Sequence, residues 1–191
     1  MANEIFDNVR TNAGDTRRSF QWFQNQVRTL AKGNLDRSLM SDSKKLTNTL
    51  IPGEMYLFYY DPKHKETLPY FDRLPLVLPF RRVKDGFYGI NLHYMPYLMR
   101  YNLLAKLSEY TNNDKYDDTT RLRISWSILT QFSRSAPITE SVKHYLSDHV
   151  KSRFLRISYP DWVTVSQLPI EQFEGANKTV VWRNSRKKAG L

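Results

Sequence analysis

Between residues 52 and 96 the chain reads PGEMYLFYYDPKHKETLPYFDRLPLVLPFRRVKDGFYGINLHYMP. This stretch holds ten of the 26 aromatic residues and six of the nine prolines. Short β-favouring runs therefore alternate with chain-breaking signals, a pattern that suits a small, rigid β unit. Strands are expected over 55–60, 74–80 and 87–94. Asp61-Pro62 ends the first. Pro75 and Pro79 restrict the second to an edge or irregular strand, because proline donates nothing to a ladder. Asp85-Gly86 signals a tight hairpin, and Gly89 leaves room for a bulge or a close backbone approach. Three such strands cannot bury both faces, so further strands or a helix must pack across them.

Helical patterns surround this block. Toward the N-terminus, Phe20, Phe23, Val27 and Leu30 form one apolar stripe on a helix expected over 15–32, with Asp15 or Thr16 as cap and Gly33 at its end. Trp22 lies off that stripe, to face a partner or to pack on an arginine stem. Residues 33–51 are mostly polar with sparse apolar anchors (Leu35, Leu39, Met40, Leu46), as in an arm that orders on assembly. Downstream, Pro96 suits the first position of a helix whose inner side carries Leu98, Tyr101, Leu104 or Ala105, and Leu107. A second helix is expected over 119–134, with Leu122, Trp126, Leu129 and Phe132 inward. A third is expected over 139–155, with Val142, Tyr145 or Leu146, His149 or Val150, and Phe154 inward. Tyr159-Pro160-Asp161 opens a short helix, residues 179–182 are strand-like, and a basic tail follows. The fold expected is α+β. A small antiparallel β unit, SH3-like or a similar barrel, packs with three to four helices over 52–182, behind an N-terminal arm over 1–51 and before a tail over 183–191.

The net charge of +10 is spread along the chain. Residues 1–51 carry 8 basic and 5 acidic groups, and 139–191 carry 9 and 5, so the excess rises only mildly toward the end. Scattered charge of this kind suits contact with DNA or with acidic neighbours in an assembly. The cations that cluster are Arg81, Arg82 and Lys84 beside the hairpin turn, and Arg183, Arg186, Lys187 and Lys188 near the end. They are the candidate contacts to nucleic acid or an acidic partner. Phe20, Trp22, Phe23 and Val27 are the candidate docking arm. No apolar run approaches the roughly 20 residues a bilayer demands. The opening Met1-Ala2-Asn3-Glu4 has no charged region followed by an apolar one, so no signal peptide is expected.

Groupings that could run a reaction are sparse. Cysteine is absent, which excludes disulfides, thiolate ligands and a cysteine nucleophile. His64 lies in a lysine-flanked turn, and His93 between Leu92 and Tyr94 reads as a packed structural histidine. His144 and His149, five apart, share no helix face, and neither the zinc-protease spacing nor any phosphate-cradling loop occurs. Asp61, Asp85, Asp117 and Asp118 sit where turns and helix caps want them, and Asp72 is read in the same way. No enzymatic role, cofactor, metal, small molecule or membrane partner is expected.

The run YDPKHKETLPYFDRLPLVLPF, then DGFYGINLHYMP, later KHYLSDHVKSRFLRISYPDW and VWRNSR, resembles a family of virion proteins from contractile-tailed bacteriophages, over about residues 50–185. The resemblance implies a structural protein of tail, baseplate or neck in some members and a DNA-end protector in others. It implies no catalytic residues. The first expectation is a non-enzymatic virion subunit, made in the host cytoplasm, that holds neighbouring virion proteins in a symmetric assembly. The second is a DNA-binding protein that caps packaged ends, weakly and without sequence preference. A nuclease or cell-wall hydrolase ranks last.

Overall fold

The computed structural model describes residues 39–40, 45–111, 117–132, 134, 136–188 and 190. The helix expected over 15–32, with Phe20, Trp22, Phe23 and Val27, lies outside the described residues, as does Leu35.

The fold is α+β. Its centre is a six-stranded antiparallel sheet built from β1 (Leu46–Thr47), β2 (Met55–Leu57), β4 (Leu76–Val83), β5 (Gly86–Asn91), β6 (Val142–Leu146) and β7 (Phe154–Ile157). The strands run in the order β1-β7-β2-β4-β5-β6, and β3 (Phe71–Asp72) pairs with β8 (Phe173–Glu174) in a small second ladder. The helices are α1 (Tyr97–Thr111), α2 (Asp118–Phe132), α3 (Ala136–Thr139), α4 (Trp162–Gln167) and α5 (Lys178–Lys188). Within the polar segment before the β block, Leu39 is fully buried, and Met40 and Leu46 pack on the same core.

The three expected strands are present, and their partners differ from expectation. β4 is central, between β2 and β5, so it is not the edge strand allowed for, but it is the irregular one. It accommodates proline because the register with β5 shifts between Pro79 and Arg81, and a bulge relieves the ladder there. Gly89, opposite Pro79, permits the close approach: a Cβ there would lie 2.2 Å from Val77 Cγ1. The turn after β4 consists of Lys84 and Asp85, with Val83 paired to Gly86. Gly86 is glycine for want of space, since a Cβ would lie 1.9 Å from the Tyr145 carbonyl oxygen.

Residues 139–155 do not form a helix. They supply β6, a 3-10 turn over Ser147–His149, and the start of β7. Both faces of this segment find apolar cover, Val142 on the main core and Tyr145 on the second, and the free side of β5 captures it, pairing Tyr145 with Phe87 and His144 with Tyr88. Burial then follows from aromatic packing. Phe58 lies 5.3 Å from Tyr145 and 5.1 Å from Phe154 between ring centroids, both edge-to-face. With Tyr56, Val77 and Phe87 these residues form a second core on one face of the sheet. Helices α1 and α2 and strands β2, β4 and β5 contribute to the main core. In α1 the buried apolar positions are Leu103, Leu104 and Leu107, whereas Leu98 is 52% exposed.

The strand-like 179–182 is helical. Asn177 accepts the Val180 amide at 3.0 Å as an N-cap, and Val181 and Ser185, one turn apart, are buried. Arg186, Lys187 and Lys188 occupy the last turn, where cations complement the helix dipole. The expected tail is thus largely part of α5.

Candidate nucleic-acid interface

At the hairpin end of the sheet three side chains stand in a row across β4, β5 and β6. Arg81 pairs with Tyr88, and Tyr88 with His144, so all three project from the same face. The Arg81 guanidinium carbon lies 4.4 Å above the Tyr88 ring. On the far side of the row His144 stacks on Tyr88 at 4.6 Å and 11°. Asp85, in the turn, reaches His144 Nε2 at 3.3 Å. A cation held over a ring keeps its charge while losing side-chain freedom. Lys84, in the turn, is exposed.

Helix α2 completes this surface. Asp117 caps its start, accepting the Thr120 amide at 2.7 Å. Leu129 is buried and Phe132 packs on the core, as expected, and the side chain of Leu122 is not among those described. Trp126 departs from expectation. It is 48% exposed, and its indole N–H donates to the Phe80 carbonyl at 2.5 Å, next in the chain to Arg81. Exposed Arg123 lies one turn before it on α2.

Arg82 points to the opposite face, donating to the Leu50 carbonyl beside a cleft of about 570 Å³ lined in part by Leu50, Phe87 and Phe154. The seven cations singled out in the sequence do not converge. Arg81, Arg82 and Lys84 gather at the hairpin. Arg183, Arg186, Lys187 and Lys188 lie on α5, which packs on the Leu92–Tyr94 turn and on α3 at the other end of β5. Lys188 is paired with Glu140 at 3.1 Å.

A buried polar hub seats α5. Arg100 has no exposed surface. It donates to the carbonyls of Met95 and Ser166 at 2.8 Å each and of His93 at 3.2 Å, and to Glu171 at 2.7 Å. Trp182 of α5 donates to the same His93 carbonyl at 2.8 Å, and Lys178 donates to the Tyr97 hydroxyl at 3.0 Å. Burial would raise the Glu171 carboxyl, but Arg100, His93 and Lys178 together outweigh it and hold the group below its ordinary value. Beside this hub His93 is fully buried, with Nδ1 2.7 Å from Asp72, a structural histidine as read from the sequence. Asp72 is therefore buried rather than a surface turn former. It also accepts from Asn91 at 3.1 Å and from the Leu74 amide at 3.1 Å. Lys143, near Lys188, sits with Nζ 4.1 Å from the Tyr94 ring centre, and burial pushes its ammonium down to about 8 against the pull of Glu140.

Of the other histidines, His64 is exposed in its turn, and His149 Nδ1 lies 2.8 Å from the Asp61 carbonyl. Asp61 pairs with Lys65 at 3.0 Å. Among the described residues no group of three or more His, Asp or Glu could hold a metal ion, and no helix is long and apolar enough to cross a membrane. Sequence reasoning missed Trp126 as a surface residue, while Tyr88 is half-buried and packs on the main core. Helical periodicity placed Trp126 in the core, and the position of α2 beside Phe80 shows where the core ends.

The family model described as phage T4 terminal DNA protecting protein matches residues 2–188. The chain belongs to that family. The match takes in the first 50 residues, which the likeness noticed in the sequence left aside. No curated protein and no solved structure matches the chain.

Proposed function

We propose that this phage protein binds the ends of linear duplex DNA and shields them from exonucleases, without catalysing a reaction and without reading sequence. Family membership over residues 2–188 is the observation that carries this reading. It favours end protection over a subunit of tail, baseplate or neck. The hairpin surface supplies suitable chemistry: Arg81 pinned on Tyr88, exposed Lys84 in the turn, and exposed Arg123 nearby on α2. Such cations attract phosphates by releasing condensed counterions, independent of base identity. Residence on the packaged DNA within the virion, and contact there with other virion proteins, belong to the same reading.

The test is digestion of linear duplex DNA by an exonuclease with and without the protein, alongside binding measured across a salt series. Expected are protected termini and a log–log salt slope of roughly −4, for about four neutralised phosphates. R81E/K84E should make that slope about two units shallower. Unprotected ends, or a slope near zero, would remove the proposal.

A further inference from the structure

Trp126 is a large apolar side chain left 48% exposed, yet it is not loose. Its indole N–H is tied to the Phe80 carbonyl at 2.5 Å. An exposed indole held in this way has already lost much of the freedom that a contact would otherwise cost. Its immediate surroundings are cationic and aromatic: Arg81 follows Phe80 in β4, Tyr88 and His144 continue the row, and Arg123 precedes it by one turn of α2. A flat apolar ring beside fixed positive charge complements a base face beside phosphates.

Inside a duplex every base pair is stacked on both sides. Only at a terminus is one face bare, and only there can a ring stack without prising base pairs apart. Phosphate contacts alone cannot distinguish an end from an internal site, because the backbone charge is much the same at both. A stacking residue can. We infer that Trp126 stacks on the terminal base pair of duplex DNA while Arg81 and Arg123 engage the flanking phosphates, and that this contact makes the protein prefer ends. The inference rests on the end-binding reading above and names the residue that would confer it.

The experiment compares wild type and W126A on a blunt-ended linear duplex and on a covalently closed circle of the same sequence. Aromatic stacking on a base predicts roughly five- to hundredfold weaker binding of W126A to the blunt-ended duplex. Affinity for the circle and the salt slope should be unchanged. W126F, which keeps a ring, should retain most of the preference. If W126A does not fold, W126L against W126F makes the same comparison. Loss of equal size on circle and linear duplex, or an intact end preference in W126A, overturns the stacking role while leaving end protection standing. A wild-type protein that binds circle and linear duplex alike overturns both.

Discussion

Replacing Glu171 by glutamine tests the polar hub most directly, because the amide keeps the shape of the side chain and removes only its charge. Arg100 is wholly buried and would lose its carboxylate partner, now 2.7 Å away. Breaking a buried ion pair from one side costs about 3–5 kcal/mol. Three backbone carbonyls still accept from Arg100, which places the loss at the lower end, about 3 kcal/mol. Lys178, 3.7 Å from Glu171 and 40% exposed, adds less than about 1 kcal/mol. With a urea slope of about 2 kcal/mol per molar, the midpoint of unfolding should fall by roughly 1.5 M. Acid supplies a second signature. The folded Glu171 carboxyl is depressed, so its contribution is complete above the unfolded value of about 4.3 and disappears as pH falls through the folded value. The gap between wild type and E171Q should be constant from about pH 7 to 5 and close below about pH 4. A gap under about 1 kcal/mol at neutral pH, or one that persists in strong acid, would refute the hub as an ionic anchor.

Two further outcomes follow from the same packing. Stability should rise between pH 8 and about 10, by up to about 3 kcal/mol, because Lys143 titrates near 8 when folded and near 10.4 when unfolded, so the unfolded chain binds more protons in that window. Above about pH 10 stability should fall, since burial pushes Tyr56 up to about 12 and Tyr145 well above its ordinary value. Those phenols then ionise first in the unfolded chain, and K143M should remove the rise and leave the fall; urea midpoints at three pH values check both. G86A should cost about 1–3 kcal/mol through overpacking, because its methyl would meet the Tyr145 backbone. Hydrogen exchange should show β6 amides losing protection first, and unchanged exchange there would exclude the clash.

Much of the β block was legible because its signals are local. Proline, glycine and Asp-Gly mark where strands must stop, and aromatic runs mark where burial is needed. The capping aspartate of α2 and the packed His93 follow from equally short-range chemistry. Residues 139–155 were misread because Val142 and Tyr145 are three apart, which is helical spacing, whereas in β6 they face opposite sides, Val142 toward the main core and Tyr145 toward the second. The deciding fact, the unpaired side of β5 meeting Phe87 with Tyr145, lies more than 50 residues away. Residues 179–182 were misread for the opposite reason: the β-branched run outweighed the Asn177 cap and the buried spacing of Val181 and Ser185.

The candidate surface divides in the same way. Residue types alone established a basic, aromatic-rich α+β chain without cysteine, with one cationic cluster beside a hairpin and another near the end. They could not say that Arg81, Tyr88 and His144 line up, since cross-strand register is a property of paired strands and not of any one of them. Nor could they say that Trp126 stands outside the core. Periodicity reports which side of a helix is apolar, while exposure depends on how far the neighbouring sheet extends beneath it, and Trp126, tied to the Phe80 carbonyl, is left 48% exposed.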